Sequence, residues 1–229
     1  MLAECRYQIQ YISNNYSRIL LLLLFFSVGL SQLIAKELIE IDKSTLLKVE
    51  KKYGAAAITR LESWQDLVRL ENSVTEKEKL KKVNNFFNQY RFVDDIDHWG
   101  KKDYWATPIE FLASKGGDCE DFALAKYFTL KSLGIPEKKL YLTYVKAIQL
   151  NQAHMVLTYY STPSAEPLIL DNLKETIQLA SKRTDLLPVY TFNGDGLWLA
   201  KERGKGKFVG GSDRLKRWND LKSRMVTGL

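Results

Sequence analysis

The chain has 229 residues, of which 45% are hydrophobic, so it is long and apolar enough to bury a sizeable core and is not a disordered chain. Its two cysteines exclude a disulfide-rich scaffold, and the absence of an internal repeat excludes a solenoid. The formal net charge of +7 is compatible with nucleic-acid binding, but the lysines are scattered along predicted helices, as over residues 76–82, where two glutamates lie among four lysines, which is typical of a solvated helix face. We therefore expect attraction to acidic substrate segments or to a membrane surface, rather than nucleic-acid binding.

The start of the chain has the pattern of an export signal. Arg6 and Arg18 precede an apolar run over residues 19–30, which is too short to span a bilayer comfortably, and a small residue follows at Ala35. Cleavage is predicted after Ala35. Because Leu33 fits the small-residue cleavage pattern poorly, an uncleaved membrane anchor is the alternative.

This signal divides the chain into two parts. Residues 1–35 are predicted to be a secretory signal peptide, and residues 36–229 are predicted to be a single domain of an exported protein. Since Cys5 precedes the apolar run, the processed chain keeps Cys119 as its one thiol and cannot form an internal disulfide.

Helical patterns dominate the first half of the domain. Helices are predicted over residues 43–53 and 55–70, and a capped helix is predicted to start at Ser73. Apolar side chains recur at helical spacing in the last of these, and this stripe is most simply core.

A further short helix is predicted from a capping pattern. Thr107 and Glu110 have the spacing of a capping box around Pro108, and the helix is expected to end near Gly116. Trp105, just before it, is interpreted as a core side chain. The alternative is a tryptophan that lines a cleft and whose indole N–H helps to stabilise an oxyanion.

Cys119 lies where a buried helix is expected to begin. Residues 122–133 are mostly apolar around the whole helix circumference, which is typical of a central helix. Gly116 and Gly117 allow the chain to turn sharply into this helix, and Gly134 provides its stop. Cys119 is therefore predicted in the first turn.

Two effects on the pKa of this thiol oppose each other. The N–H groups and the dipole of a helix N-terminus lower a thiol pKa, whereas the neighbouring carboxylates of Asp118, Glu120 and Asp121 raise it. A hard divalent cation bound by these three acids would offset their charge, and closely spaced oxygen ligands favour calcium over zinc. These residues alone leave a structural role open, because a free cysteine is often a small buried hydrophobe and reactivity requires a partner base.

Only His98 and His154 can supply an imidazole base. His98 lies in a loop-like stretch before the Cys119 helix. His154 opens a strand-like run, and a β-rich run over residues 140–150 precedes it, so the two runs are predicted to form a hairpin.

A third strand-like run, residues 167–170, ends directly in Asp171. If this run pairs antiparallel with the strand of His154, Asp171 comes back beside His154. A thiol at a helix N-terminus, an imidazole and a carboxylate are the groups that thiol acyl-transfer enzymes use.

The segments at residues 103–112 (DYWATPIEFL) and 116–121 (GGDCED), together with His154 and Asp171, resemble the LapG-type bacterial transglutaminase-like cysteine proteinases. This resemblance implies an α+β fold of papain or transglutaminase type, with the central cysteine-bearing helix packed on a small antiparallel sheet and a helical N-terminal part. It also implies a role for each of six residues: Cys119 as nucleophile, His154 as general base, Asp171 as orienting acid, and Asp118, Glu120 and Asp121 as calcium ligands.

The same resemblance implies a substrate, a partner and a location. The expected substrate is the periplasmic N-terminal region of a large repeat-containing surface adhesin, cut at an alanine-rich site, which releases the adhesin and promotes biofilm detachment. The expected partner is an inner-membrane cyclic-di-GMP receptor that sequesters the protease in the periplasm.

Two other functions remain compatible with these residues. An acyl-enzyme can be resolved by an amine as well as by water, so transglutaminase or amidase chemistry on another envelope protein is possible. A non-enzymatic calcium-responsive binding module is the second alternative.

The last part of the chain is predicted to add a hairpin and a helix. Residues 188–192 and 197–201 flank a turn-rich Asn-Gly-Asp-Gly segment, as hairpin strands do. The basic run at residues 203–207 lacks the context of a phosphate loop and is predicted to be a mobile loop. An amphipathic helix is expected to place Trp218 and Leu221 against the domain.

Overall fold

The computed structural model describes residues 41–69, 74–201 and 204–227. These described residues group into one compact unit. The predicted signal peptide, residues 1–35, and its cleavage site lie outside the described residues. Within the described ranges, no helix has both the length and the apolar character needed to cross a membrane.

The helices of the described part are α1 (Lys43–Tyr53), α2 (Ala55–Val68), α3 (Glu76–Asn88), α4 (Asp95–Trp99), α5 (Pro108–Ser114), α6 (Cys119–Ser132) and α7 (Lys216–Thr227). The predicted helices at 43–53 and 55–70 are confirmed within two residues.

The predicted start of α3 at Ser73 is wrong, since the helix begins at Glu76. Thr75 is its N-cap, and a capping box with Glu78 satisfies the first backbone N–H groups. The capping box of Thr107 and Glu110 at the start of α5 is confirmed. The loop predicted around His98 is instead the short helix α4.

The strands are β1 (Arg91–Phe92), β2 (Gly116–Gly117), β3 (Leu140–Ala147), β4 (Gln152–Tyr159), β5 (Leu168–Leu170), β6 (Gln178–Leu179), β7 (Leu186–Phe192), β8 (Leu197–Lys201) and β9 (Gly204–Gly210). Strands β1 and β2 form a short parallel pair. The others form an antiparallel seven-stranded sheet in the order β6-β5-β4-β3-β7-β8-β9. The predicted α+β architecture is confirmed, with a larger sheet than the small one expected.

The predicted strand pairings are confirmed, but two local predictions in this sheet are wrong. The hairpin of β3 with β4, the pairing of β4 with β5 and the hairpin of β7 with β8 are all antiparallel. Strand β4 begins at Gln152, two residues before His154, because Gln152 and Ala153 already pair with β3. Residues 204–207, expected in a mobile loop, lie in strand β9 and pair with β8.

Helix α6 is the centre of the core. Its buried side chains lie on all sides of the helix, among them Phe122, Leu124, Tyr127 and Leu130. Such full burial is typical of a central helix, and each large apolar side chain that leaves water stabilises the fold by about 1.5–3 kcal/mol.

Helix α7 closes this core through Trp218, which is 1% exposed. The Trp218 ring stacks on Phe128 of α6 at 5.6 Å and meets Phe192 of β7 edge-on at 5.5 Å. The last helix therefore packs on both the central helix and the sheet, as its amphipathic pattern predicts.

Candidate active site

Strand β2 holds the start of α6 close to β1. A Cβ added at Gly116 would lie 2.3 Å from the Arg91 carbonyl oxygen, and one added at Gly117 would lie 2.1 Å from an Asp121 carboxylate oxygen. Only glycine fits at such close approaches. Asp118 is the N-cap, and its side chain accepts a hydrogen bond from the Glu120 N–H at 3.2 Å. Cys119 is therefore the first helical residue, as predicted.

The Cys119 thiol lies between the acidic turn and strand β4. Its Sγ donates to the Glu120 carboxylate at 2.8 Å and accepts a hydrogen bond from the Met155 backbone N–H. The second contact places the thiol beside the residue that follows His154. Burial, followed by the negative charges of Glu120 and Asp118, raises the pKa of the Cys119 thiol far above its ordinary value.

His154 and Asp171 form a buried pair. His154 Nε2 lies 2.8 Å from Asp171 Oδ1, and the two residues are 5% and 2% exposed. The antiparallel register of β4 with β5 brings them together, since Leu157 faces Leu170. Because an ionised carboxylate only accepts hydrogen bonds, Nε2 carries the proton and Nδ1 is left as the basic nitrogen.

Asp171 remains ionised despite its burial. Burial alone raises the pKa of a carboxyl group, but here the hydrogen bond and charge of His154, the Leu173 N–H and the Arg183 guanidinium outweigh it and lower the pKa of Asp171 to about 2. The carboxylate is thus an anion throughout the neutral range, which is the state needed to orient an imidazole.

A cluster of carboxylates lies beside the thiol, and its membership differs in part from the predicted set. Asp95, Asp118 and Asp121 each offer an oxygen within 4.8 Å of the others, whereas Glu120 groups instead with Asp118 and the Cys119 thiol. Asp95 was not found from the sequence. Asp95 is far along the chain from the cysteine motif, so no local pattern connects the two. Only the acidic stretch at the start of α4 gave a weak indication of a metal ligand there.

The chemistry of this cluster fits a hard divalent cation. The Asp95 Oδ1 and Asp121 Oδ2 atoms are buried without a hydrogen-bond partner within the described part of the chain. Buried carboxylate oxygens are ordinarily paired with a donor or a metal ion, and clustered oxygens suit calcium. Asp95, Asp118 and Asp121 are therefore well placed to hold calcium, with Glu120 adjacent to them.

The same crowding changes the ionisation of these acids. Burial, followed by neighbouring negative charges such as that of Glu120, raises the pKa of Asp95 to about 6 and raises that of Asp118 well above its ordinary value. Burial also raises the pKa of Asp121 well above its ordinary value. A cation in the cluster would reverse this effect, because it favours the ionised form of each carboxyl group.

Trp105 packs in the core as predicted. It is 6% exposed, and its ring stacks on Phe192 at a centroid distance of 5.6 Å. The Trp105 indole N–H donates to the Asp103 carboxylate. The alternative interpretation had this N–H stabilising an oxyanion.

Residues 57–191 match the sequence model of the bacterial transglutaminase-like cysteine proteinases, BTLCP. The chain belongs to this family, and the predicted family resemblance is confirmed. Its fold is that of LapG from Legionella pneumophila, with 46% sequence identity and a TM-score of 0.69 over 78% of this chain and 94% of LapG. No curated protein matches the chain.

Two further structures of the Legionella protein are a calcium-bound form and an EGTA-treated form. Calcium-bound LapG is 45% identical with a TM-score of 0.68, over 80% of this chain and 98% of that protein. EGTA-treated LapG is 46% identical with a TM-score of 0.70, over 78% of this chain and 94% of that protein. The chain is thus a cysteine proteinase, and a structural relative from Legionella has been solved with bound calcium.

His98 has a structural environment distinct from that of His154. Its Nε2 lies 2.8 Å from the Ser114 hydroxyl, and its ring meets Trp99 edge-on at 4.6 Å. We expect His98→Ala to cost about 1 kcal/mol of unfolding free energy through the lost hydrogen bond and to leave the cleavage rate nearly unchanged. Initial rates and thermal unfolding measure the two effects. A folded His98→Ala protein without activity would show that His154 is the wrong choice of base.

Proposed function

We propose that this protein is an exported, calcium-dependent cysteine endopeptidase with Cys119 as nucleophile, His154 as general base and Asp171 as orienting acid. Its substrate is the periplasmic N-terminal region of a large repeat-containing surface adhesin, which it cuts at an alanine-rich site. Cleavage releases the adhesin and promotes biofilm detachment. The observation that carries the proposal is the buried 2.8 Å pair of His154 and Asp171, with the residue after His154 in contact with the Cys119 thiol.

The first half of the proposed reaction forms an acyl-enzyme. His154 Nδ1 takes the proton from Cys119 Sγ, and the sulfur attacks the carbonyl carbon of the scissile bond. Backbone N–H groups in the first turn of α6 stabilise the resulting oxyanion. The C–N bond then breaks, and the imidazolium returns the proton to the leaving amine.

The second half releases the acyl group. Water gives a proton to His154 Nδ1 and attacks the thioester, and the carboxylic acid leaves as the proton returns to the sulfur. Asp171 keeps the imidazole in one tautomer throughout, because its anionic oxygen accepts only from Nε2–H.

Asp95, Asp118 and Asp121 would hold the calcium, with Glu120 as the further ligand that the sequence predicts. When bound, the cation supplies positive charge that offsets these carboxylates and so favours the thiolate. The carboxylates are also the reason that the thiol requires such a charge, since Glu120 and Asp118 raise its pKa. The existence of a calcium-bound form of Legionella LapG supports calcium as the ion.

The proposed location is the periplasm, and the proposed regulator is an inner-membrane cyclic-di-GMP receptor that sequesters the enzyme. The export signal predicted over residues 1–35 and membership of the family support the location. The family resemblance supports the regulator.

Incubation of the purified protein with periplasmic adhesin fragments tests reaction, substrate and metal together. Each reaction contains calcium or a chelator, and a matched fragment carries bulky residues in place of the alanines. We expect two products from the native fragment with calcium, and an uncut fragment with chelator or with bulky residues. Sequencing of the new N-terminus locates the bond.

A fluorescent primary amine in the same reactions distinguishes the alternatives. Labelled, uncut protein would indicate transglutaminase chemistry. Calcium-dependent retention of the fragment without any product would indicate a binding module, and either result would overturn the proposed proteolysis.

A further inference from the structure

Arg183 is a buried cation next to the proposed catalytic pair. It follows the 3-10 turn Ala180–Lys182, just before β7, and is 3% exposed. Its Nη2 donates to Asp171 Oδ2 at 2.6 Å and to Asp185 Oδ2 at 2.9 Å, and its Nε donates to Asp185 Oδ1 at 3.0 Å. One guanidinium thus joins the two carboxylates.

These contacts fix both oxygens of the Asp171 carboxylate. Oδ1 faces His154 Nε2 at 2.8 Å and accepts from the Leu173 N–H at 3.0 Å, while Oδ2 accepts from Arg183. Rotation of the carboxylate would break all three contacts. The direction of the oxygen that faces the imidazole is therefore set in part by Arg183.

The backbone around Arg183 is itself held in place. The Arg183 N–H donates to the Ala180 carbonyl at 3.0 Å, and the Arg183 carbonyl accepts from the Leu186 N–H at 3.1 Å. The Asp185 carbonyl accepts from the Ile148 N–H at 2.8 Å, next to β3. Arg183 is thus held at both ends: its backbone by Ala180 and Leu186, and its guanidinium by Asp185.

Lys126, the other buried cation near Asp171, does not contact the carboxylate. Its Nζ donates to Asn88 Oδ1 at 2.6 Å, and Asn88 Nδ2 donates to the Asp171 backbone carbonyl at 2.8 Å. The hydrogen bonds of Lys126 therefore lead to the backbone of Asp171, through Asn88, and only its charge acts on the carboxylate. The carboxylate direction depends on Arg183, whose planar fork can serve two acceptors in a fixed geometry.

We propose that Arg183 is a positioning residue for the proteolytic reaction, which holds the Asp171 carboxylate so that Oδ1 stays directed at His154 Nε2. This role rests on the proposed function, because it concerns the imidazole assigned there as base. Arg183 contacts neither the substrate nor the thiol in this role. It acts through Asp171 alone.

Three variants of the full chain test the role. Arg183→Met removes the charge and the donors at similar length, and Arg183→Lys keeps the charge without the planar fork. Lys174→Met is the matched control, because Lys174 contacts Asp185 at 3.3 Å from the exposed side and does not reach Asp171. All three are compared with the wild-type protein.

The first measurement needs no substrate. The His154 Nε2–H proton, hydrogen-bonded to a carboxylate, gives a downfield proton NMR signal, and His98→Ala assigns it because the chain has two histidines. We expect this signal to move upfield or broaden in Arg183→Met, to change less in Arg183→Lys, and to stay in place in Lys174→Met.

The second measurement separates kcat from KM on the adhesin fragment. We expect Arg183→Met to lower kcat by about 10- to 100-fold, by analogy with the loss of a residue that orients a metal-binding histidine, with little change in KM. Arg183→Lys should recover part of kcat. If Arg183→Met does not fold, Arg183→Lys is the deciding variant. A wild-type kcat together with a wild-type His154 NMR signal in Arg183→Lys would then overturn the proposal.

The two measurements also distinguish this proposal from the proposed function. An unchanged His154 signal and an unchanged kcat in Arg183→Met would overturn the positioning role while leaving proteolysis intact. A signal that responds to Arg183→Met, in a protein that cuts no adhesin fragment, would support the positioning of His154 and overturn the proposed substrate reaction.

Discussion

Cys119→Ala is expected to abolish cleavage of the adhesin fragment while leaving the fold intact. The thiol is the proposed nucleophile, and loss of a triad nucleophile lowers kcat by a factor on the order of 10⁶ in a well-studied serine protease. We expect a small structural cost, because Cys119 is only partly buried and its sulfur makes two hydrogen bonds, with Glu120 and with the Met155 N–H of β4. Product formation measures activity, and thermal unfolding with circular dichroism measures the fold.

Cys119→Ser is the control for this prediction. The hydroxyl keeps a donor for Glu120 and removes only the nucleophilicity of sulfur, so we expect the same loss of activity and a nearly unchanged unfolding temperature. Undiminished cleavage by either variant would remove Cys119 from the mechanism.

Removal of calcium is expected to abolish activity and to lower the unfolding temperature of the purified protein, and added calcium is expected to restore both. A ligand that binds only the folded state stabilises it by mass action. The reason for binding is the cluster of Asp95, Asp118 and Asp121, two of whose oxygens are buried without a donor in the described part of the chain. Indifference of both activity and unfolding temperature to a chelator would contradict the metal assignment.

The size of this calcium effect should depend on pH. Without metal, the folded state holds a proton on Asp95 up to a pKa of about 6, and burial and neighbouring charges also raise the pKa of Asp118, whereas the unfolded chain releases both protons near pH 4. The folded state then binds more protons, so the free energy of unfolding falls as the pH rises through this window. Bound calcium would offset the cost of ionising these buried carboxyl groups. Its stabilising effect on the fold should therefore be larger at pH 7 than at pH 5.

Asp95→Asn and Asp97→Asn form a matched pair for this measurement. Both residues lie in α4, but Asp95 is buried in the carboxylate cluster and Asp97 is exposed. We expect Asp95→Asn to reduce the calcium-induced rise in unfolding temperature and Asp97→Asn to leave it unchanged. Equal responses of the two variants would place the metal elsewhere.

The sequence predicted those parts of the site that local pattern and strand pairing determine. The apolar circumference of residues 122–133 identified the central helix and put Cys119 in its first turn, as the structure has it. Antiparallel pairing of consecutive strands was enough to bring Asp171 to His154, since their separation along the chain is short. Both results depend on neighbouring elements of the chain.

The parts that the sequence missed depend on contacts between distant segments or on side-chain direction. Asp95 and Arg183 reach the site through tertiary packing, and no periodicity marks them. Glu120 was grouped with Asp118 and Asp121 because the three are close in sequence, but closeness in sequence does not determine the direction of a side chain. In the structure Asp118 and Asp121 meet Asp95, while Glu120 lies against Asp118 and the Cys119 thiol.

The packing of Trp218 has a consequence for the order in which this chain completes its folding. Trp218 covers Phe128 on the nucleophile-bearing helix and Phe192 in the sheet beside it. During synthesis the chain presents Cys119, His154 and Asp171 well before residue 218 follows. A partly emerged chain therefore carries Cys119 on an incompletely packed helix, and the core around α6 is completed only when that late tryptophan has docked.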